Sequence, residues 1–336
     1  MHVFINTKQL AQNAKKIKKH LFADTKLCAV VKANGYGHGM VDVAKTIQNT
    51  VDWFAVARVD EGLALRQNGI TKPILVLCPC YTQKQAEICA LKDISLTLDS
   101  LYDLPKIAKS GAKVHLKTDS GMHRIGVTNK DDLMRILQSC KSKKIDVQGV
   151  YTHFASDVNG NPKLTFAQYK KFLNMSDMVK RFYPGVLVHA CNSANAKSCP
   201  AFFCDMVRVG LWLYDDVKQV TAKVVQIKNL LQGHGAGYDH CFVAKQNCSI
   251  AIVDCGYGDG LPRNYNGQVL TKYGKMDVVG NACMDMITIK NRDNLLKKGD
   301  KVVILGKMDK NVVKADEIAK NCGTISYEIL CNLRER

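Results

Sequence analysis

Apolar runs rich in branched residues recur through the first two-thirds of the chain, starting near Lys26, Trp53, Pro73, Ile94, Lys113, Ile145, Val186 and Asp205. Most of the stretches between them have helical character: residues 41–49, 60–68, 83–91, 101–110, 131–139 and 166–181. Eight such strands, parallel to one another if the helices are crossovers, close naturally into an eight-stranded β/α (TIM) barrel. Another helix precedes the first strand, from Thr7 to about Leu21, capped by Asn6 or Thr7. After about Leu213 helical periodicity fades. Short alternating or apolar runs take over at residues 221–227, 249–253, 268–270, 286–289 and 301–305, with one short helix over 314–320. The expected organisation is an α/β barrel over residues 1–213 and a mostly β domain over 214–336, with which residues 1–5 are placed to pair.

A chain of 336 residues can fill two such domains. No apolar stretch approaches transmembrane length. The start, Met1-His2-Val3-Phe4-Ile5-Asn6, lacks the parts of a signal peptide, so a cytoplasmic protein without a membrane partner is expected. The fourteen cysteines fall mostly inside apolar runs, as at Cys28, Cys78, Cys191, Cys255 and Cys283, and no Cys-x-x-Cys occurs. That usage predicts reduced, buried thiols and no metal site. The formal charge of +18 raises nucleic acid as a partner. The lysines are dispersed, however, and clusters such as Lys15-Lys16-Ile17-Lys18-Lys19 fall on helix faces without interleaved aromatics. Solvated basic faces are the reading, with no nucleic-acid partner and a field that favours small anions.

In β/α barrels the chemistry sits at the C-terminal ends of the strands. Polar residues fall there repeatedly: Lys32 after strand one, Lys117 and Asp119 after strand five with Arg124 beyond, His153 after strand six, Asn192 and Ser193 after strand seven, and Arg208 before Gly210 at strand eight. Lys32 closes the apolar run Leu27-Cys28-Ala29-Val30-Val31 and opens a glycine-rich turn. Partial desolvation there favours a neutral, nucleophilic amine, and glycines let the backbone approach a ligand. Ser193 and the N–H groups around Gly210 and Leu211 suit a phosphate. Arg208 suits a heterocyclic nitrogen, and Lys32 an aldehyde. Pyridoxal 5'-phosphate is the aldehyde cofactor that fits this set.

These residues carry a resemblance. Ala29-Val30-Val31-Lys32-Ala33-Asn34-Gly35-Tyr36-Gly37-His38-Gly39 resembles the cofactor-lysine motif of alanine racemases, pyridoxal phosphate enzymes of fold type III. Lys117-Thr118-Asp119-Ser120-Gly121-Met122-His123-Arg124-Ile125-Gly126 resembles their substrate-arginine segment. Tyr151-Thr152-His153-Phe154-Ala155, His189-Ala190-Cys191-Asn192-Ser193 and Arg208-Val209-Gly210 follow in family order, then Gly237-Tyr238, Gly256-Tyr257-Gly258-Asp259-Gly260, Cys283-Met284-Asp285 and Ile325-Ser326-Tyr327-Glu328. The resemblance spans essentially the whole chain.

It implies an isomerase that interconverts L- and D-alanine and supplies D-alanine for peptidoglycan of the cell wall. Lys32 would be the Schiff-base lysine and the D-face base, and Tyr238 the base acting on L-substrate. A phenol ionises only near pH 10, and the family arrangement implies a chain through His153 toward Arg208 that helps it. Arg208 would face the pyridine nitrogen. Tyr36, Ser193, Gly210, Leu211 and Tyr327 would contact the phosphate, with Asn192 also on the cofactor. Arg124 would support the cofactor's phenolic oxygen and, with the Met284 backbone N–H, the substrate carboxylate. Tyr257 would line the substrate entrance. Lys117 matches a lysine that is carbamylated in many members. The family's tyrosine reaches the other subunit's cofactor, so the implied partner is a second copy of this chain, in a homodimer with shared active sites.

Two features depart from the family pattern. Gly233-His234-Gly235-Ala236-Gly237 precedes Tyr238, so His234 competes for the base position, although the spacing from Tyr238 to Tyr257 fits without a gap. Asp254 stands where the family commonly has proline. A racemase for another amino acid such as serine would share every motif above. A barrel-type decarboxylase shares the domain pair but not the Lys117–Arg124 and Met284 segments. A pyridoxal phosphate carrier would lack the β domain.

Overall fold

The computed structural model describes residues 1–80 and 82–336. They form two units: residues 10–35 with 39–214, and residues 1–9 and 36–38 with 215–336.

The first unit is the barrel. Its strands are β2 (Lys26–Val30), β3 (Trp53–Val56), β4 (Ile74–Pro79), β5 (Ile94–Leu98), β6 (Val114–Lys117), β7 (Val147–Tyr151), β8 (Leu187–His189) and β9 (Met206–Val209). They pair in parallel in sequence order from β2 to β8, and β9 adds beside β2. Between β8 and β9 the Arg208 N–H donates to the Cys191 carbonyl and the Val188 N–H to the Asp205 carboxylate, so the barrel is nearly closed. Runs such as Trp53-Phe54-Ala55-Val56 are buried throughout, because strands between helices and barrel interior have no wet face.

Helix ends follow their caps. Asn6 is the cap of Thr7–His20, its side chain accepting the Gln9 N–H. Asn129 and Asn161 accept the N–H groups of Asp132 and Leu164, which starts those helices earlier than periodicity implies, at Lys130–Ser142 and Pro162–Phe182. The helix expected from residue 101 begins instead at Leu104, with Pro105 in its first turn.

Inside the barrel, Gly149 of β7 lies in register with His115 of β6. A methyl group at Gly149 would come within 2.1 Å of His115 Nδ1. Gly149→Ala is expected to cost about 1–3 kcal/mol through overpacking, seen as a lower denaturant midpoint with an unchanged slope.

The second unit is an antiparallel sheet. Its strands are β1 (His2–Ile5), β10 (Lys218–Leu230), β11 (Cys248–Val253), β12 (Gln268–Thr271), β13 (Gly274–Val279), β14 (Ile287–Lys290), β15 (Lys301–Met308) and β16 (Asn311–Val313). β10 is long enough to pair with β1, β11 and β15 along its length. A separate two-residue hairpin pairs Gly235–Ala236 with Phe242–Val243. The sequence predicts one short helix near the end, but the structure has two, Ala315–Cys322 and Ser326–Asn332. Gly323, at φ +69°, ends the first, and the second starts three residues on.

Candidate active site

Lys32 leaves β2 half-buried and opens a turn wound the wrong way for L-residues. Ala33, Asn34, Gly35, Tyr36 and Gly37 have φ of 53°, 52°, 64°, 54° and 74°. Left-handed backbone costs roughly 1–2 kcal/mol per non-glycine residue, so something must hold it. The Glu61 carboxylate accepts N–H groups from Ala33 at 2.7 Å, Ala57 at 2.7 Å and Arg58 at 3.1 Å, tying the turn to the exit of β3. The Asn34 side chain accepts the Met40 N–H and its carbonyl accepts that of Gly39. Strain of this kind, fixed by surrounding bonds, is a mark of a functional site.

Arg208 is buried and immobilised. One amino nitrogen donates to His189 Nδ1 at 2.8 Å and the His189 carbonyl at 3.0 Å. The other donates to the carbonyls of Thr152 at 2.7 Å and Ala190 at 3.2 Å. A guanidinium only donates, so His189 Nδ1 is an acceptor and its proton sits on Nε2. That proton is given to His115 Nδ1, 2.9 Å away. The remaining His115 Nε2 is buried without a partner, and the ring lies edge-on to Trp53. Burial first, then the Arg208 charge, pushes His115 down to about 3 and His189 well below its ordinary range, so both are neutral. None of the four acceptors of Arg208 is anionic. Among the described residues its Nε finds no acceptor, which fits a neutral ring nitrogen of a bound heterocycle.

Lys117, Asp119, Arg124 and His153 come together along one small cleft. The Asp119 carboxylate accepts four backbone N–H groups, from Gly121, Met122, His123 and Arg124, at 2.8–3.1 Å, and so fixes the loop that presents the exposed Arg124. Lys117 is buried, its Nζ 4.6 Å from the centre of the Tyr151 ring. Burial first, then Arg208 and Arg124, bring its amine down to about 7. His153 is held neutral, well below its usual value, by burial and then by Arg208, Lys117, Arg124 and Lys32. At the ends of β8 and β9 the buried Ser193 Oγ accepts the N–H groups of Gly210 at 2.9 Å and Trp212 at 3.4 Å, with Leu211 between them, while Asn192 caps the turn by accepting the Asn195 N–H.

In the second unit the rings of Tyr36 and Tyr327 lie 5.9 Å apart. The Tyr257 and Met284 segments interlock, the Tyr257 and Gly258 N–H groups donating to the carbonyls of Cys283 and Met284. No room exists for a side chain at Gly256, where a Cβ would sit 2.3 Å from the Met284 oxygen. Tyr238 stands apart at the tip of its hairpin with its side chain exposed, and His234 is exposed too. Asp254 accepts the Lys223 N–H where β10 is bulged.

Sequence reasoning passed over His115, His189 and Tyr151 as site residues. Tyr151 stacks on His189 at 4.9 Å and has Arg208 over its ring at 5.1 Å. A signal existed for His115: it lies two residues before Lys117 on one strand and so shares its inward face.

A parallel barrel with an amine, a buried guanidinium and an anchored arginine loop on its rim, followed by an antiparallel domain, defines the two-domain class to which the chain belongs. Models of the alanine racemase N-terminal and C-terminal domains match residues 5–217 and 217–336. Alanine racemase 2 of Bacillus subtilis is 32% identical over 366 residues, covering 99% of this chain and 92% of that one. The solved alanine racemase of Clostridium difficile 630 is 37% identical with a TM-score of 0.89, covering 99% of this chain and 93% of its own. That of Bacillus anthracis, solved with bound L-Ala-P, is 31% identical with a TM-score of 0.90, covering 98% of this chain and 92% of its own. The chain belongs to the alanine racemase family, and with it to the isomerases.

Proposed function

We propose that this isomerase interconverts L-alanine and D-alanine with pyridoxal 5'-phosphate, using Lys32 and Tyr238 as bases on opposite faces of the substrate. The observation that carries the reading is Arg208, a buried guanidinium held by four uncharged acceptors with Nε left over. When bound, the cofactor supplies an electron sink for the charge left at Cα. The chain supplies the rest. Lys32 anchors the cofactor and exchanges the proton on the D-face; Tyr238 exchanges the proton on the L-face. Arg124 and the Met284 N–H orient the substrate carboxylate, and Tyr257 lines the entrance. Tyr36, Asn192, Ser193, Gly210, Leu211 and Tyr327 hold the cofactor on its phosphate side. His153, held neutral by burial and its cationic neighbours, lines the cleft beside Lys117 and Arg124.

The exposure of Tyr238, Tyr257 and Met284 in the single chain supports a homodimer in which a second copy completes each site. D-alanine from this reaction would feed the peptidoglycan of the cell wall, with the enzyme in the cytoplasm. No helix of the described residues is long and apolar enough to cross a membrane.

Polarimetry of L-alanine with the purified holoenzyme tests the reading. Conversion to D-alanine supports it; conversion of L-serine alone, or release of carbon dioxide, overturns it. The charge of Arg208 disfavours protonation of the ring nitrogen and so limits electron withdrawal by the ring. Arg208→Glu is therefore expected to raise pyruvate-forming side reaction relative to racemisation, measured with lactate dehydrogenase as a coupling enzyme. An unchanged ratio would count against this role.

Lys117 has an amine brought down to about 7, so a large neutral fraction exists near neutrality, and a neutral amine adds carbon dioxide with release of one N–H proton to solvent. The carbamate is anionic and removes the repulsion between Lys117 and Arg124. Enzyme equilibrated with 13C-bicarbonate is expected to show a carbamate carbon signal that Lys117→Ala lacks; no signal in the parent protein would refute the modification.

A further inference from the structure

Lys218 is a buried cation in the second unit that no step above uses. It lies at the start of β10, 4% exposed, and its Nζ donates to the carbonyls of Leu330 at 2.6 Å and Leu333 at 3.0 Å. These belong to the last turn of the helix Ser326–Asn332 and the residue after it. Burial brings its amine down to about 8, so holding the ammonium there carries a desolvation cost that a purely apolar contact would avoid. A cation at a helix C-terminus satisfies free carbonyls, and this alone would be ordinary capping.

A second observation gives the contact a direction. The same carbonyl is pressed by Gly37. A Cβ there would lie 2.5 Å from the Leu330 oxygen, 3.0 Å from Lys218 Nζ and 3.1 Å from Cys331 Cα. Gly37 follows Tyr36 directly in the left-handed turn, at φ +74°. The helix that Lys218 grips carries Tyr327 in its first turn. The ammonium bonds the end of the helix, and Gly37 packs closely against the same Leu330 carbonyl, so the two segments meet at one point and each carries one phenol of the Tyr36–Tyr327 pair.

We propose that Lys218 is a positioning residue for the cofactor's phosphate: it sets the spacing of the Tyr36 and Tyr327 hydroxyls by locking the helix Ser326–Asn332 against Gly37. The ligand class is a phosphate monoester dianion, and the proposal rests on the reading of the two tyrosines as phosphate contacts.

The test uses full-length apoenzyme titrated with pyridoxal 5'-phosphate and, separately, with pyridoxal, which lacks the phosphate. Lys218→Met is expected to weaken pyridoxal phosphate binding at least about tenfold, the scale of a lost charged hydrogen bond, and to leave pyridoxal binding unchanged. In a Tyr327→Phe background the same substitution should cost little more, since the effect runs through that hydroxyl. If Lys218→Met does not fold, Lys218→Gln, which keeps N–H donors on a shorter arm, should show a smaller loss of the same phosphate-specific kind. Equal losses for both ligands, no loss, or losses that add to that of Tyr327→Phe would overturn the proposal. If Tyr36→Phe and Tyr327→Phe leave pyridoxal phosphate affinity unchanged, the phosphate reading of the tyrosines itself fails, and the proposal with it. Weakening by the tyrosine substitutions but not by Lys218→Met sinks the proposal alone.

Discussion

Lys32→Ala is expected to lower racemisation in both directions by about 10⁴-fold or more, at or beyond the upper end for a single acid–base group, because this amine both anchors the cofactor and serves as one of the two bases. The fold should survive. Lys32 is half-buried at the mouth of the barrel rather than in its core, and the bonds that hold its turn, from Ala33 to Glu61 and from Met40 to Asn34, do not use its side chain. Three measurements separate chemistry from structure. Borohydride should fix the cofactor covalently to the parent protein and not to the variant. The thermal midpoint of the apo forms should stay within a few degrees. A small primary amine added to the variant should restore part of the rate, as a free base can occupy the vacated space. Covalent fixation persisting in Lys32→Ala would assign the anchoring role to another lysine, and Lys117, with its amine near neutrality, would be the next to test.

The sequence made the barrel legible because each buried strand is a short continuous apolar run and each crossover a helix of ordinary period. Strand ends can then be read as a rim that carries Lys117, His153 and Arg208. What stayed hidden is of two physical kinds. The first is backbone hand. Gly35 and Gly37 advertise freedom, but nothing local says that Ala33 and Tyr36 would also take positive φ, and the carboxylate that holds the Ala33 N–H, Glu61, is distant in the chain. The second is pairing across the barrel. Arg208, His189 and His115 lie far apart in the chain, and their link rests on strand register, which decides that His115 faces inward opposite Gly149. The second C-terminal helix was missed for a simpler reason: with seven residues it is too short to show a period, and Gly323 before it reads as the end of helical structure.

Tyr238→Phe is the other substitution with a large expected effect, a loss of about 10²–10⁴-fold. It removes a hydroxyl on an exposed side chain at a hairpin tip, so stability should hardly change. Loss should be equal in kcat/KM for the two directions, since the enantiomers have equal free energy and both directions cross the same proton transfer at the phenol, and His234→Gln should leave both directions near parental rates. The reverse pattern would give the base position to His234. The same variant also tests whether sites are shared between chains. Lys32→Ala and Tyr238→Phe homodimers are each expected to be inactive. If each site takes Lys32 from one chain and Tyr238 from its partner, random exchange of subunits makes half the dimers mixed. A mixed dimer holds one site with both substitutions and one with neither. Mixing the two dead proteins in equal amounts should therefore recover about a quarter of parental activity, by closed two-fold symmetry. If both bases came from one chain, every site in every mixed dimer would carry one substitution and no activity would return. Recovery thus requires the exposed Tyr238 to act on the other subunit, and its absence despite demonstrated subunit exchange would rule that arrangement out.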